Sequence, residues 1–168
     1  MNQTPDPFLQ VLEAYRAAVL SKDVEAFVAF YDDEVHVFDM WGAWSLRGIG
    51  AWRNMASEWF ASTGDESVVV DIDQPSSVCL GELAIGHALL TYAAVSADGK
   101  RLRSLDNRLS AALKKVDGAW KIFHEHTSAP IDPASAKAML RRAPRFGGWR
   151  ANPREASFCQ TLAAPRSA

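Results

Sequence analysis

Two Asp-Gly pairs, Asp98-Gly99 and Asp117-Gly118, each stand between long apolar runs, and they constrain this chain more than any other feature. Asp-Gly suits a two-residue turn whose positive φ angles match the twist of paired strands. Residues 100–116 and 120–128 therefore read as consecutive strands. Before them come the long apolar run 78–95 and the β-branched segment 68–72, which ends at Gln74-Pro75. The second half of the domain is thus an antiparallel meander. The first half is helical: Phe8, Val11, Leu12, Tyr15 and Val19 recur at helical spacing and predict a helix over 6–20. Asp23 is the N-cap of a second helix carrying Val24, Phe27, Val28 and Tyr31. A third helix spans 49–62, with Trp52, Met55, Ala56 and Trp59 at i, i+3, i+4 and i+7 and a stop at Thr63-Gly64. Between the second and third helices, residues 34–39 alternate as a short strand, with Val35, Val37 and Asp39 on one face and His36 and Phe38 on the other. Helices first and a meander after define an α+β domain, not a βαβ repeat.

The elements end near Pro130, so residues 1–130 are read as one domain. Residues 131–168 form a basic extension, a short helix over 133–140 and then an irregular or disordered stretch punctuated by Pro144, Gly147-Gly148, Pro153 and Pro165. The net charge of −2 conceals this division. The extension holds 7 of the 18 Lys and Arg and only Asp132 and Glu155 of the 20 acidic residues, leaving 11 against 18 in the domain. Basic residues interleaved with aromatics are missing from the domain, which argues against nucleic-acid binding. No apolar run approaches the length of a membrane span, and no basic-then-apolar leader opens the chain. The two cysteines, Cys79 and Cys159, lack metal or disulfide spacing, which suits a reducing, cytoplasmic setting.

The polar residues with chemical potential lie on the strands. Strict alternation along 120–128 puts Trp120, Ile122, His124, His126 and Ser128 on one face and Lys121, Phe123, Glu125 and Thr127 on the other. The first face starts apolar and turns polar toward its end, the gradient expected of a sheet packed on helices with an open mouth. Arg108 and Ser110 on the preceding strand are expected to join His124 and His126 there. Half-buried histidines satisfied by hydrogen bonds are the plain alternative. His124 and His126 could flank a metal if Asp39 or His87 supplied a third ligand; the reading here is no metal and no cofactor. Trp41, Trp44, Trp52 and Trp59 fall within 19 residues. Trp52, Met55 and Trp59 fit helix packing, and together with Trp41 and Trp44, in a loop beside Asp39, they are also expected to form the aromatic, ligand-binding wall of a small-molecule pocket.

These residues, in this order, resemble the SnoaL-like and ketosteroid isomerase-like branches of the nuclear transport factor 2-like superfamily. The segment Tyr15–Asp23, followed by Phe30–Asp39 and Leu46-Arg47-Gly48, is similar to the start of a bacterial ketosteroid isomerase. Residues 117–128 resemble the SnoaL-like group. The resemblance implies a cone of three N-terminal helices packed in the concavity of a curved, mostly antiparallel sheet. It also implies a homodimer through the outer sheet face, where Phe123 and Leu113 are expected. Asp39 matches the isomerase's general base and Tyr15 its oxyanion donor. The second acid of that enzyme, an aspartic acid kept protonated by its apolar site, has no counterpart here, its position falling near Ala112. His124 is the expected substitute acid or donor, with Arg108, His126, Ser128 and His87 as neighbouring ligand contacts. A base, donors and an aromatic wall suffice for a cofactor-independent isomerase, cyclase or dehydratase acting on a ketone-like substrate. They suffice equally for a module that binds a small apolar or aromatic ligand, or dimerises, without turnover.

Overall fold

The computed structural model describes residues 6–142. Helix α1 spans Pro7–Ser21, α2 spans Val24–Val28 and α3 spans Ile49–Ser62. The strands are β1 (Tyr31–Phe38), β2 (Leu46–Arg47), β3 (Ser67–Leu80), β4 (Leu83–Val95), β5 (Arg101–Val116) and β6 (Ala119–Ser128). They form one curved, open, six-stranded sheet in the order β2-β1-β6-β5-β4-β3. Strands β3 to β6 are the expected antiparallel meander, and β1 joins it parallel to β6.

Local chemistry explains each boundary. Asp6 caps α1 by accepting from the Phe8 and Leu9 amides, and Asp23 caps α2 through the Ala26 amide, each satisfying donors that a helix start leaves free. Tyr31 opens β1 rather than closing α2. The apolar run 78–95 is two strands, because Gly81 takes φ 61 and lets the chain reverse between Leu80 and Leu83. Residues 133–140 are not helical: Asp132 caps a tight turn through the Ala134 and Ser135 amides, and Ile131 bridges Ala138. The following residues run along the part of β5 that extends past the end of β6. There the Leu140 carbonyl accepts from the Asp106 amide, and Arg142 pairs with Asp73 and Asp106. The expected irregular stretch from Pro144 onward lies outside the described residues.

The helices cover one face of the sheet. Phe8, Leu12, Val19, Phe27, Val35, Val37, Leu90 and Leu113 are the largest fully buried side chains, and Phe27 touches Tyr15, Phe30, Tyr31, Trp52, Trp59 and Phe60 in one aromatic cluster. Helix α1 approaches β4 so closely that a Cβ on Gly86 would stand 2.3 Å from the Phe8 ring, so only glycine fits beneath it. Leu113, expected on the outer face, points instead into this core. Phe123 does lie on the other, open face, where the Lys114 ammonium sits 6.0 Å from its ring centre.

The decisive irregularity is in β6. Ala112 pairs with His124, yet Leu113 pairs with Ile122, so β6 holds one extra residue, Phe123, in a bulge. A bulge reverses the alternation beyond it. Ile122, Glu125 and Thr127 are consequently all buried on the helix-covered face, while His124, His126 and Ser128 turn to the open face.

Candidate functional site

A cavity of about 570 Å³ lies between the helices and the covered face of the sheet, within the range of small-molecule sites. Its apolar wall comes from Phe27, Trp52, Met55, Trp59 and Val68, with Trp41 and Gly42 of the β1–β2 loop at its edge. Trp52 and Trp59 are placed by the helical spacing of α3; Trp41 is half exposed. At the rim Arg103 of β5 forks onto Glu66, both guanidinium nitrogens donating, at 2.9 and 2.6 Å.

Polar groups gather along the strands. Asp39 follows β1 directly and its Oδ1 accepts from the Met40 amide at 2.8 Å and from Thr127 Oγ1 at 2.7 Å. Its Oδ2 has no hydrogen-bond partner among the described residues, so one carboxylate oxygen is held while the other stays available. Glu125, 2% exposed, is buried beside it and accepts from the Tyr31 hydroxyl at 2.7 Å. Burial pushes the Glu125 carboxyl up to about 7, the Tyr31 hydrogen bond opposes that rise, and the negative charge of Asp39 adds to it. Two carboxyl groups thus share one cavity in unlike environments, one buried and the other tied to a strand end by two donors.

Beside them the Tyr15 and Tyr92 hydroxyls meet at 2.8 Å. Burial, and then the neighbouring Tyr92, raise the Tyr15 hydroxyl well above its ordinary value. Burial likewise raises Tyr92, although the hydrogen-bonded Tyr15 hydroxyl and the nearby Asn107 amide work the other way. Both therefore stay protonated. One of the two hydroxyl hydrogens is spent between the tyrosines, and the second is left to donate to an oxygen in the cavity. A carboxyl with one free oxygen, an acid titrating near neutral pH and a spare hydroxyl donor are the parts that proton transfer next to a carbonyl uses.

The structure brings together only some of the side chains singled out from sequence. Asp39, Tyr15, Trp41, Trp52, Met55 and Trp59 line the cavity. Trp44 is 98% exposed and lies outside the lining. His124, His126, Arg108 and Ser128 are on the open face because of the β6 bulge, with Arg108 Nε donating to Ser128 Oγ at 3.2 Å. His124 Nδ1 binds the His36 carbonyl at 2.8 Å, and its ring packs on His36 and Phe38. His87 is exposed, paired across the open face with Ser76 and Ser110. All four histidines of the chain are therefore on the face away from the cavity, and among the described residues no three His, Cys, Asp or Glu side chains gather as metal ligands. Glu125, Thr127, Tyr92 and Asn107 join the site without having been expected there. The bulge hides the first two from any reading of alternation. Tyr92 and Asn107 alternate with open-face neighbours on β4 and β5, and that parity is the signal that could have found them.

An α+β fold with three helices over one face of a curved sheet, and an aromatic cavity between, places the chain among nuclear transport factor 2-like folds. Residues 9–132 match the SnoaL-like domain family, and the chain belongs to it. A solved NTF2-like protein of unknown function from Pseudomonas putida KT2440 is similar at 25% identity and TM-score 0.72, over 82% of this chain and 94% of that one. A protein named as a candidate dehydratase of the NTF2-like family, from Streptomyces avermitilis, shares 12% identity with TM-score 0.64, over 75% and 95% of the two chains. A candidate calcium/calmodulin-dependent protein kinase II association domain from Xanthomonas campestris shares 15% identity with TM-score 0.63, over 73% and 85%. The last two show the fold alone. No curated protein sequence matches the chain. Among the described residues no helix is long and apolar enough to cross a membrane.

Proposed function

We propose that this protein is a cofactor-independent enzyme that moves a proton next to the carbonyl of a small, largely apolar ketone, with Asp39 as the general base. The reading covers isomerisation, cyclisation and dehydration, which share an enolate-forming step. One observation carries it: Asp39 borders an aromatic cavity with Oδ1 held by Thr127 and Met40 and Oδ2 without a partner among the described residues. The spare hydroxyl hydrogen of the Tyr15–Tyr92 pair stabilises the developing oxyanion. Glu125, protonated through burial, returns a proton and takes the place of the second acid that has no counterpart near Ala112. The helices fill the concavity of a cone and shut water from the chemistry. The enzyme works as a cytoplasmic homodimer joined through the open sheet face, where Val78 pairs with Ile85 and Leu80 with Leu83, all four strongly exposed. The test compares Asp39→Asn with wild type on a panel of enones and polyketide-like ketones. The wild type should consume at least one of them and the variant should be slower by about 10²-fold or more. Equal rates sink the proposal, and bound ligand without consumption by either protein supports a carrier instead.

A further inference from the structure

Asn107 is 7% exposed, lines the cavity, and its side-chain oxygen Oδ1 is buried with no hydrogen-bond partner among the described residues. Its neighbour on the same face is Tyr92. Tyr92 pairs across the β4–β5 ladder with Leu105, so Asn107, two residues further along β5, is its diagonal neighbour on the same face. Asn107 is close enough to oppose the rise of the Tyr92 hydroxyl, yet its Oδ1 accepts nothing from that hydroxyl. A buried acceptor left empty costs free energy, and native interiors leave few such groups. The cavity therefore offers a fixed acceptor next to a fixed donor: Asn107 Oδ1 asks for a hydroxyl hydrogen, and the spare hydrogen of the Tyr15–Tyr92 pair asks for a carbonyl oxygen.

We propose that the ligand of this pocket is a hydroxy ketone, an enolisable ketone carrying a free hydroxyl one or two carbons from its carbonyl, with that hydroxyl donating to Asn107 Oδ1. The short separation follows from the sheet. Asn107 and Tyr92 are diagonal neighbours on one face of the β4–β5 ladder, so the two polar points of the ligand lie close together on its skeleton. The apolar remainder of the ligand packs on Trp52, Met55 and Trp59. The inference rests on the carbonyl reading of the site given above, but it concerns binding and requires no turnover.

The experiment titrates the tryptophan fluorescence of the full chain with three probes that differ at one position. They are 4-hydroxy-4-phenylbutan-2-one, its deoxy analogue 4-phenylbutan-2-one, and the methyl ether 4-methoxy-4-phenylbutan-2-one, which keeps the oxygen but has no hydrogen to donate. The hydroxy ketone should bind about tenfold more tightly than either analogue. Asn107→Leu, close in shape but without an acceptor, should reduce that preference to near unity. The three-probe comparison in wild-type protein stands alone if that variant does not fold. Equal binding of the three probes, no binding of the hydroxy ketone up to its solubility limit, or a preference that survives in folded Asn107→Leu overturns the inference. Asp39→Asn protein should keep the preference while losing proton transfer. A failure of the catalytic reading thus shows as lost chemistry with intact selectivity, and a failure of this one as the reverse.

Discussion

Replacing Glu125 with glutamine should flatten the dependence of stability on pH. The wild-type carboxyl is raised from its ordinary value of 4.5 to about 7, mainly by burial. Between those two values the folded protein holds a proton that the unfolded chain has released, so stability falls as pH rises through the interval. The contribution is fully present below about pH 4.5 and lost as pH climbs past 7. At about 1.4 kcal/mol per pH unit, the rise from 4.5 to about 7 amounts to about 3 kcal/mol. The glutamine side chain would imitate the neutral acid in shape, and its oxygen can still accept from Tyr31, so the variant carries no such titration. Urea unfolding of both proteins at about pH 5 and about pH 8 isolates the effect, since every other group titrates alike in the two. The stability of wild type relative to Glu125→Gln should drop by about 2.5 kcal/mol between the two pH values, since a small part of the full change falls below pH 5. With a urea slope of about 1–3 kcal/mol per molar, that is a relative midpoint shift of about 1 M or more. Parallel profiles would refute the reasoning, because they would mean that Glu125 is already ionised in the fold at the lower pH or is not buried.

The other predictions address packing and the placement of donors. Gly86→Ala should destabilise by about 1–3 kcal/mol in urea unfolding, because the new methyl meets the buried Phe8 ring. Tyr15→Phe and Tyr92→Phe each leave one hydroxyl hydrogen in the cavity, so either alone should slow ketone enolisation less than the double variant, which should lose about 10²–10³-fold. His124→Ala removes a hydrogen bond on the open face and should cost about 0.5–1.5 kcal/mol of stability. Ligand affinity, read by the same fluorescence titration, should be unchanged in that variant.

Sequence pattern reveals elements better than it reveals faces. Asp98-Gly99 and Asp117-Gly118 locate the β4–β5 and β5–β6 turns because positive φ is a local demand that a residue pair can announce. Gly81 makes an equally sharp turn but sits inside an apolar run, where nothing beside it marks the break. The site is legible where placement depends on helix spacing or on a short regular strand, as for Tyr15, Trp52, Trp59 and Asp39. Alternation misleads on β6, because one extra residue at Phe123 exchanges the His124 and Glu125 faces. A bulge depends on the register of two strands, which neither strand encodes alone. The resemblance looks for a second acid near Ala112 on β5, whereas the buried carboxyl proposed for that role, Glu125, stands on β6.

If Asp39 removes a proton next to a ketone carbonyl bound in this cavity, hydrogen beside that carbonyl exchanges with solvent. Proton NMR in deuterated buffer tests it most directly, by following deuterium entry beside the carbonyl of 4-phenylbutan-2-one, a probe that can enolise but has no hydroxyl to lose. Wild-type protein should speed that exchange above the buffer rate, and Asp39→Asn should return it to within reach of the buffer, a loss of about 10²–10⁴-fold. Exchange at the buffer rate with wild type, or equal acceleration by the Asp39→Asn variant, would mean that Asp39 is not the base.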